Sequence, residues 1–202
     1  SKLFENGQKV TVSCAEGEVG KVYSGEIKFS KTETPIDDLP TTKTPIMMNV
    51  ASPDMAFKFS KIPCAGVGLA REEFVINNYI KAHPLALLKH EEIGDKALSK
   101  KIKKLTRGFE NERDFFIKKL AYGIGRIAAS FYPNDVIVRF SDFKSNEYAN
   151  LLGGSYFEPH EENPMIGWRG ASRYYSKEYK EAFELECAAI KKVREAMGFK
   201  NV

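Results

Sequence analysis

Cysteine, tryptophan and histidine are all scarce in this chain of 202 residues, with three, one and three copies. No apolar run approaches the roughly 20 residues that a membrane helix needs, and the N-terminus has no signal-peptide pattern. Cys14, Cys64 and Cys187 lie far apart, form no C-x-x-C pair and have no histidine at ligand spacing, which argues against a zinc site. An odd cysteine count without a signal points to reduced thiols and a cytoplasmic protein, each cysteine being read as a small buried hydrophobe. His83, His90 and His160 occur in polar stretches read as exposed, with no activated Ser or Cys beside them, so no histidine chemistry is assigned. The first residue is Ser1 rather than Met, which reads as a start that is processed, trimmed or internal.

A strong charge of one sign is missing too. The net charge is +4, and a hydrophobic content of 43% with 29% charged residues is that of a soluble globular chain. The length suits one ordinary domain, or a domain with a piece of another. Lysine is densest in KALSKKIKK, 96 to 104, where a nucleic-acid surface competes with a solvated helix face. Leu98, Ile102 and Leu105 are spaced to pack inward and no aromatics interleave with the lysines, so the solvated face is preferred.

Residues 1 to 30 read as β-structure: Val10 and Val12, a glycine-bearing turn AEGEVG, then Val22 and Tyr23 make a hairpin. Residues 31 to 44 are rich in Thr, Pro and Asp without a period and read as a linker. From Thr44 onward, strand and helix patterns alternate. PIMMNV is a short apolar strand, after which Ser52 and Pro53 cap a helix. CAGVGLAR, 64 to 71, is a second strand running into the helical EEFVINNYI. Phe116, Leu120, Ile124, Ile127, Ala128 and Phe131 mark a long helix at about 110 to 131, and VIVRF is the third strand. NPMIGWRGASRYY reads as part strand, part helix start. A last helix is expected over 177 to 197, with Ser176 as its cap and Tyr179, Phe183, Cys187, Ile190, Val193 and Met197 on one face. The alternation implies parallel strands with crossover helices, in either a small open α/β sheet or the first part of a (β/α)8 barrel, which in full needs roughly 250 residues.

The third strand ends oddly. Val136, Ile137 and Val138 lead to Arg139 and then to a fan of polar side chains. A guanidinium at the end of an apolar strand requires a partner. In parallel α/β arrangements the carboxyl ends of the strands form the rim where ligands bind. Asn49, Arg71 and Arg139 end the three strands, and Arg169 lies in the segment that would form or follow the next. Converging guanidinium groups suit an anion with several oxygens, such as phosphate or carboxylate. Asp142 and Glu147 are the candidates to hold Arg139 in place; taken singly, Arg71 could instead pair with Glu72 or Glu73, and Arg139 with Asp142, as structural ion pairs.

GVGLAREEFVIN, VIVRFSDFKSNEYANLLGG and EENPMIGWRGASRYY resemble the phosphoenolpyruvate-binding barrel of the phosphoenolpyruvate synthases (pyruvate, water dikinases). More distantly they resemble pyruvate phosphate dikinase and enzyme I of the sugar phosphotransferase system. TVSCAEGEVGKVYSGEI resembles the last strands of the swivelling phosphohistidine domain that precedes that barrel. The resemblance covers essentially the whole chain. It implies three parts: residues 1 to 30 from the phosphohistidine domain, a linker over 31 to 44, and the N-terminal part of the barrel over 45 to 202. It implies a cytoplasmic, gluconeogenic enzyme, open to homodimerisation, converting ATP, pyruvate and water to AMP, phosphoenolpyruvate and phosphate. Arg71 and Arg139 would bind the phosphate of phosphoenolpyruvate, with Arg169 assisting. Mg²⁺, its acidic ligands, the phosphorylated histidine, the acid/base cysteine and the ATP domain would all lie outside these residues. No catalytic residue or metal ligand is then expected here, and the piece alone would be inactive. Partners would be pyruvate or phosphoenolpyruvate and the rest of the polypeptide, with no nucleic acid and no membrane. The alternatives are a barrel like that of pyruvate phosphate dikinase or enzyme I, or a small anion-binding α/β protein without catalysis.

Overall fold

The computed structural model describes residues 4–16, 19–33, 35, 39–40 and 42–202. The chain divides into two compact units, residues 1–40 and 41–202. In the first, β1 (Val10–Ser13) pairs antiparallel with β2 (Lys21–Ser24), with Val10 opposite Ser24 and Val12 opposite Val22. This is the hairpin expected from the alternating valines; part of its turn, residues 17 and 18, lies outside the described residues. Thr11 ties the hairpin to the segment after it, its Oγ1 donating to the Gly25 carbonyl at 2.8 Å. Residues 34, 36–38 and 41 of the expected linker also fall outside the described set, and the rest of 31–44 carries no helix or strand.

The second unit is built on three parallel strands, β3 (Met48–Val50), β4 (Gly66–Arg71) and β5 (Asp135–Arg139), in spatial order β3-β4-β5. Each strand lies beside its predecessor in the chain. Helix α1 (Pro53–Phe59) makes the first crossover. The second comprises α2 (Glu73–Val75) with a π-helical turn Ile76–Ile80, then α3 (Pro84–Ile93), α4 (Lys96–Leu105) and α5 (Glu112–Phe131). Short helices α6 (Ser145–Ala149) and α7 (Ala171–Tyr174) follow, then α8 (Lys180–Lys191), which ends in a π-helical turn Lys192–Ala196.

One sheet face is covered. Val50, Val67, Ala70 and Val136 are buried against Ala56 of α1 and Ile127 and Phe131 of α5. Because strand side chains alternate, Ile137 points the other way and is 55% exposed. A larger core joins the π-helical turn with α3, α4, α5 and α8, through Ile76, Ile80, Leu87, Ile102, Phe116, Leu120 and Leu185. On the outer edge of β5 the Val136 amide donates to the Asn201 carbonyl at 2.7 Å.

Several expectations hold in detail. Helix α5 starts after Asn111, whose side chain accepts the Asp114 amide. Leu98 and Ile102 of α4 are buried while Lys96, Lys100, Lys101, Lys103 and Lys104 are exposed, as a solvated lysine face requires. Others need correction. Ser52 occupies the cap of α1 and Pro53 its first position, yet no side-chain cap bond forms. NPMIGWRGASRYY contributes no strand; it is irregular until α7. Helix α8 begins at Lys180 rather than 177, because Ser176 closes a separate turn by accepting the Tyr179 amide. Its buried face carries Ala182, Leu185, Glu186 and Ala189, so the inward stripe is turned relative to the expected one and Cys187 is exposed. Cys14 is exposed too and Cys64 half-buried, so the reading of three buried thiols fails. His83 and His90 are buried, against expectation: each is enclosed between helices and supplied with a polar partner.

Gly66 illustrates the tightness of the sheet. It has φ +134°, and a Cβ there would lie 2.4 Å from the Asp135 carbonyl oxygen. Gly66→Ala is expected to cost upwards of about 1–3 kcal/mol from backbone strain alone, read as a lowered denaturation midpoint.

Candidate functional site

Arg71 and Arg139 are the last residues of β4 and β5, and the register sets them directly opposite one another. Each strand ends on an arginine, and a register irregularity between Val67 and Ala70 takes up the extra residue of β4, so that the two ends come level. Arg71 lies over the Phe74 ring, its guanidinium carbon 4.7 Å from the centroid. Arg139 donates to Glu73 at 2.5 Å and reaches Asp142 at 3.4 Å. Both arginines keep a buried Nε with no hydrogen-bond partner. A buried donor left unmade is costly, so the rim holds two N–H groups still in need of an acceptor.

Arg169 arrives from the loop before α7 and grips Asp142 with two nitrogens, Nε at 3.1 Å and a terminal nitrogen at 3.0 Å. That bond holds the Arg169 guanidinium charged more firmly than usual. Asp142 therefore joins Arg139 to Arg169, while Arg71 is brought in by strand register. Glu147 serves elsewhere: its carboxylate accepts the Lys144 amide at 2.8 Å and caps α6. Asn49 does not end β3, which runs on to Val50; it is exposed opposite Leu69 of β4, two residues short of Arg71.

Carboxylates hold this rim in a pairing other than the expected one, since Glu73 takes Arg139 rather than Arg71. Glu73 is buried; one oxygen accepts from both Arg139 and the Asp142 amide, at 2.9 Å for the latter, and the other has no partner. Glu72 and Glu186 are both buried, and both accept the Ser141 amide, at 3.0 and 3.1 Å. Ser141 Oγ donates to Glu186 at 2.6 Å, and Tyr148 lies 2.5 Å from the same hydroxyl. Tyr179 donates to Tyr148 at 2.9 Å. The Tyr179–Tyr148–Ser141 chain of hydroxyls thus ends on Glu186. Burial first, and then the charge of Glu186, pushes the Glu72 carboxyl well above the ordinary range. Burial raises Glu186 as well, although bonds from Glu72 and Ser141 pull it down.

A second buried group fixes the Arg169 loop. Arg173 has no exposed surface and pairs with Glu158 through two 2.6 Å bonds; its other donors go to the Trp168 carbonyl. Trp168, Tyr148 and Tyr179 enclose its guanidinium, with centroids 3.9, 4.3 and 4.9 Å away. His83 accepts the Leu85 amide on Nδ1, so its proton sits on Nε2 and is donated to Glu158 at 2.9 Å. Burial lowers the His83 pKa and keeps the ring neutral.

The family model for the PEP-utilising enzyme, PEP-binding domain, matches residues 26–202. The chain belongs to that family. It is 57% identical over 200 residues to a phosphoenolpyruvate synthase of Synechocystis, covering 98% of this chain and 24% of that protein. The phosphoenolpyruvate synthase of Aquifex aeolicus is 48% identical over 246 residues, covering 100% of this chain and 29% of its own length. That of Escherichia coli is 49% identical over 202 residues, covering 100% and 25%. The chain spans about a quarter of the length of the curated relatives it matches.

Glu186 could have been found in the sequence, since it lies seven residues after Tyr179 and so falls on the inward face of α8. Asp142, three residues after Arg139, is readable as its partner, but Glu73 and Glu158 meet Arg139 and Arg173 only through the fold. Among the described residues no group of three or more His, Cys, Asp or Glu is placed to hold a metal ion, and Glu73 and Asp142 are already engaged by arginines. These residues do not fit a Mg²⁺ site. No helix among the described residues is long and apolar enough to cross a membrane.

Proposed function

We propose that this chain is the first part of a phosphoenolpyruvate-binding (β/α)8 barrel, preceded by the last strands of a phosphohistidine domain and a linker, in a cytoplasmic phosphoenolpyruvate synthase. The parent protein would convert ATP, pyruvate and water to AMP, phosphoenolpyruvate and phosphate, in a gluconeogenic role. The observation that carries the reading is the pair Arg71 and Arg139, opposite each other at the carboxyl ends of adjacent parallel strands, each with a buried unpartnered Nε. Their place is the phosphate of phosphoenolpyruvate, with Arg169 joined through Asp142 and Asn49 contributing from the neighbouring strand, two residues short of their level. Phosphoryl transfer requires chiefly positioning and charge neutralisation, which guanidinium groups supply. The strand order supports the barrel: each strand lies beside its predecessor, and the chain returns to the free edge of β5 at Asn201. Mg²⁺, which such a reaction needs for charge neutralisation, would be held by residues elsewhere in the parent. ATP would act only through a domain outside this chain, and homodimerisation belongs to the parent.

Turnover by the full-length protein tests the reading. Phosphoenolpyruvate and AMP should form from pyruvate and ATP with Mg²⁺ and without added phosphate. A requirement for added phosphate would favour a pyruvate phosphate dikinase. Phosphoenolpyruvate binding without turnover would favour a non-catalytic anion-binding protein.

The uncovered sheet face gives a second expectation. Ile137 on β5 is 55% exposed, and the loop before α7 exposes Met165 at 58% and Ile166 at 84%. Residues 1–202 on their own should self-associate, because unpaired edges and a bare apolar face invite it. Sedimentation of a monodisperse monomer would contradict this.

A further inference from the structure

We propose that Glu72 and Glu186 hold one proton between them, and that this carboxyl pair positions the anion site by fixing Ser141 and, through it, Asp142. The proposal rests on reading the arginine rim as the anion site. Glu72 ends the link from β4 into α2, and Glu186 stands on α8; they meet at the backbone of the loop after β5. Both oxygens lie within 3.1 Å of a single nitrogen, in a place with almost no solvent contact. Two full negative charges there would repel strongly.

The hydrogen bonds say which member carries the proton. Glu186 receives the Ser141 amide and the Ser141 hydroxyl, the last donor in the tyrosine chain, as a carboxylate does. Glu72 accepts the amide on one oxygen, while its other oxygen is buried with no donor aimed at it. An O–H on that oxygen gives it a role, donating to Glu186. The groups facing the pair are Glu73 from α2, Tyr148 from α6, Tyr174 from α7 and Tyr179 ahead of α8. The arginines of the region are engaged with other carboxylates, Arg139 with Glu73 and Asp142, and Arg173 with Glu158.

Asp142 follows Ser141 directly and clamps Arg139 and Arg169 together. Loss of the shared proton leaves two anions competing for one amide, and they separate. Ser141 then loses a partner, and the two arginines lose their common brace. Glu72 and Glu186 are thus positioning residues, acting through Ser141 and Asp142. The sign follows from the raised Glu72 value: its stabilising contribution is fully present below about pH 4.5, the unfolded value, and is lost as pH rises through the folded one.

The test uses the full-length protein and its Glu72→Gln variant, in which an amide replaces the protonated carboxyl as a permanent donor of the same shape. Two measurements are needed. Infrared difference spectra at neutral pH should show a protonated-carboxyl band in the wild type that the variant lacks. Phosphoenolpyruvate affinity should match in the two proteins at neutral pH. Above the pair's ionisation the wild type should fall behind the variant by about tenfold per pH unit, a ratio from which the ligand's own ionisation cancels. Absence of the infrared band overturns the shared proton, whatever the ligand does. A band with parallel affinity profiles overturns the positioning role. A wild type that does not bind phosphoenolpyruvate at any pH overturns the rim reading and the positioning role with it, while the infrared result still decides the proton.

Discussion

Arg139→Ala in the full-length protein should weaken phosphoenolpyruvate binding by about 100-fold. A charge-assisted hydrogen bond contributes about 1.5–3 kcal/mol, and each 1.4 kcal/mol is a factor of ten in affinity, so losing two bonds from one guanidinium gives at least that factor. Charge alone does not account for the site. Arg139 stands at a strand end with its Nε unpartnered, and it is held by Glu73 on one side and Asp142 on the other. Arg139→Lys keeps the cation but loses the planar fork, so an intermediate loss of about tenfold is expected. Calorimetric titration would separate the variants. A full loss in the lysine variant would make the fork's geometry the whole of the effect, and no loss in either would remove Arg139 from the site.

The largest effect on stability should come from Arg173. Arg173→Met leaves Glu158 buried without its cation, and breaking a buried ion pair from one side costs about 3–5 kcal/mol. His83 still donates to Glu158, but it is neutral and cannot replace the charge. Replacing both members, Arg173→Met with Glu158→Leu, should recover a large part of that loss, because it is the unpaired charge that is expensive. Denaturation midpoints of the single and double variants decide between this and a simple loss of packing. The effect should have a pH signature. Burial pushes the Glu158 carboxyl up, but hydrogen bonds from Arg173 and His83 outweigh it and leave the pKa lowered. Its contribution is therefore present above the unfolded value of about 4.5 and is lost as pH falls through the lowered folded value. Since Arg173 closes the loop that presents Arg169, the single variant should also bind phosphoenolpyruvate less well.

The strands and the rim arginines were legible because their signals are local. Short β-branched and apolar runs between glycine and proline mark β4 and β5, and Arg71 and Arg139 sit at their ends by position alone. Helix α5 announced itself by a period sustained from Phe116 to Phe131. What could not be read depends on distant pairing. Glu72 and Glu73 stand beside Arg71 in the sequence and read as its partners, yet the Ser141–Asp142 loop, nearly seventy residues on, covers both. His83 follows Lys81 by two residues and so looks solvated, yet Ala82 and Pro84 flank it and Phe157 stacks on its ring with centroids 5.5 Å apart. The α8 stripe misled for another reason: a helix whose inner face carries Glu186 breaks the assumption that inward means apolar. Its charge is tolerated there because Ser141 supplies two donors.

The account stands most directly on where the phosphate of phosphoenolpyruvate sits. A crystal structure of the full-length protein with phosphoenolpyruvate bound would show it. The account predicts phosphate oxygens within hydrogen-bond distance of Arg71 and Arg139, with their Nε groups satisfied and Asp142 still joining Arg139 to Arg169. A phosphate bound elsewhere, with Arg139 held only by Glu73 and Asp142 and both Nε groups still unpartnered, would make these arginines structural and contradict the account.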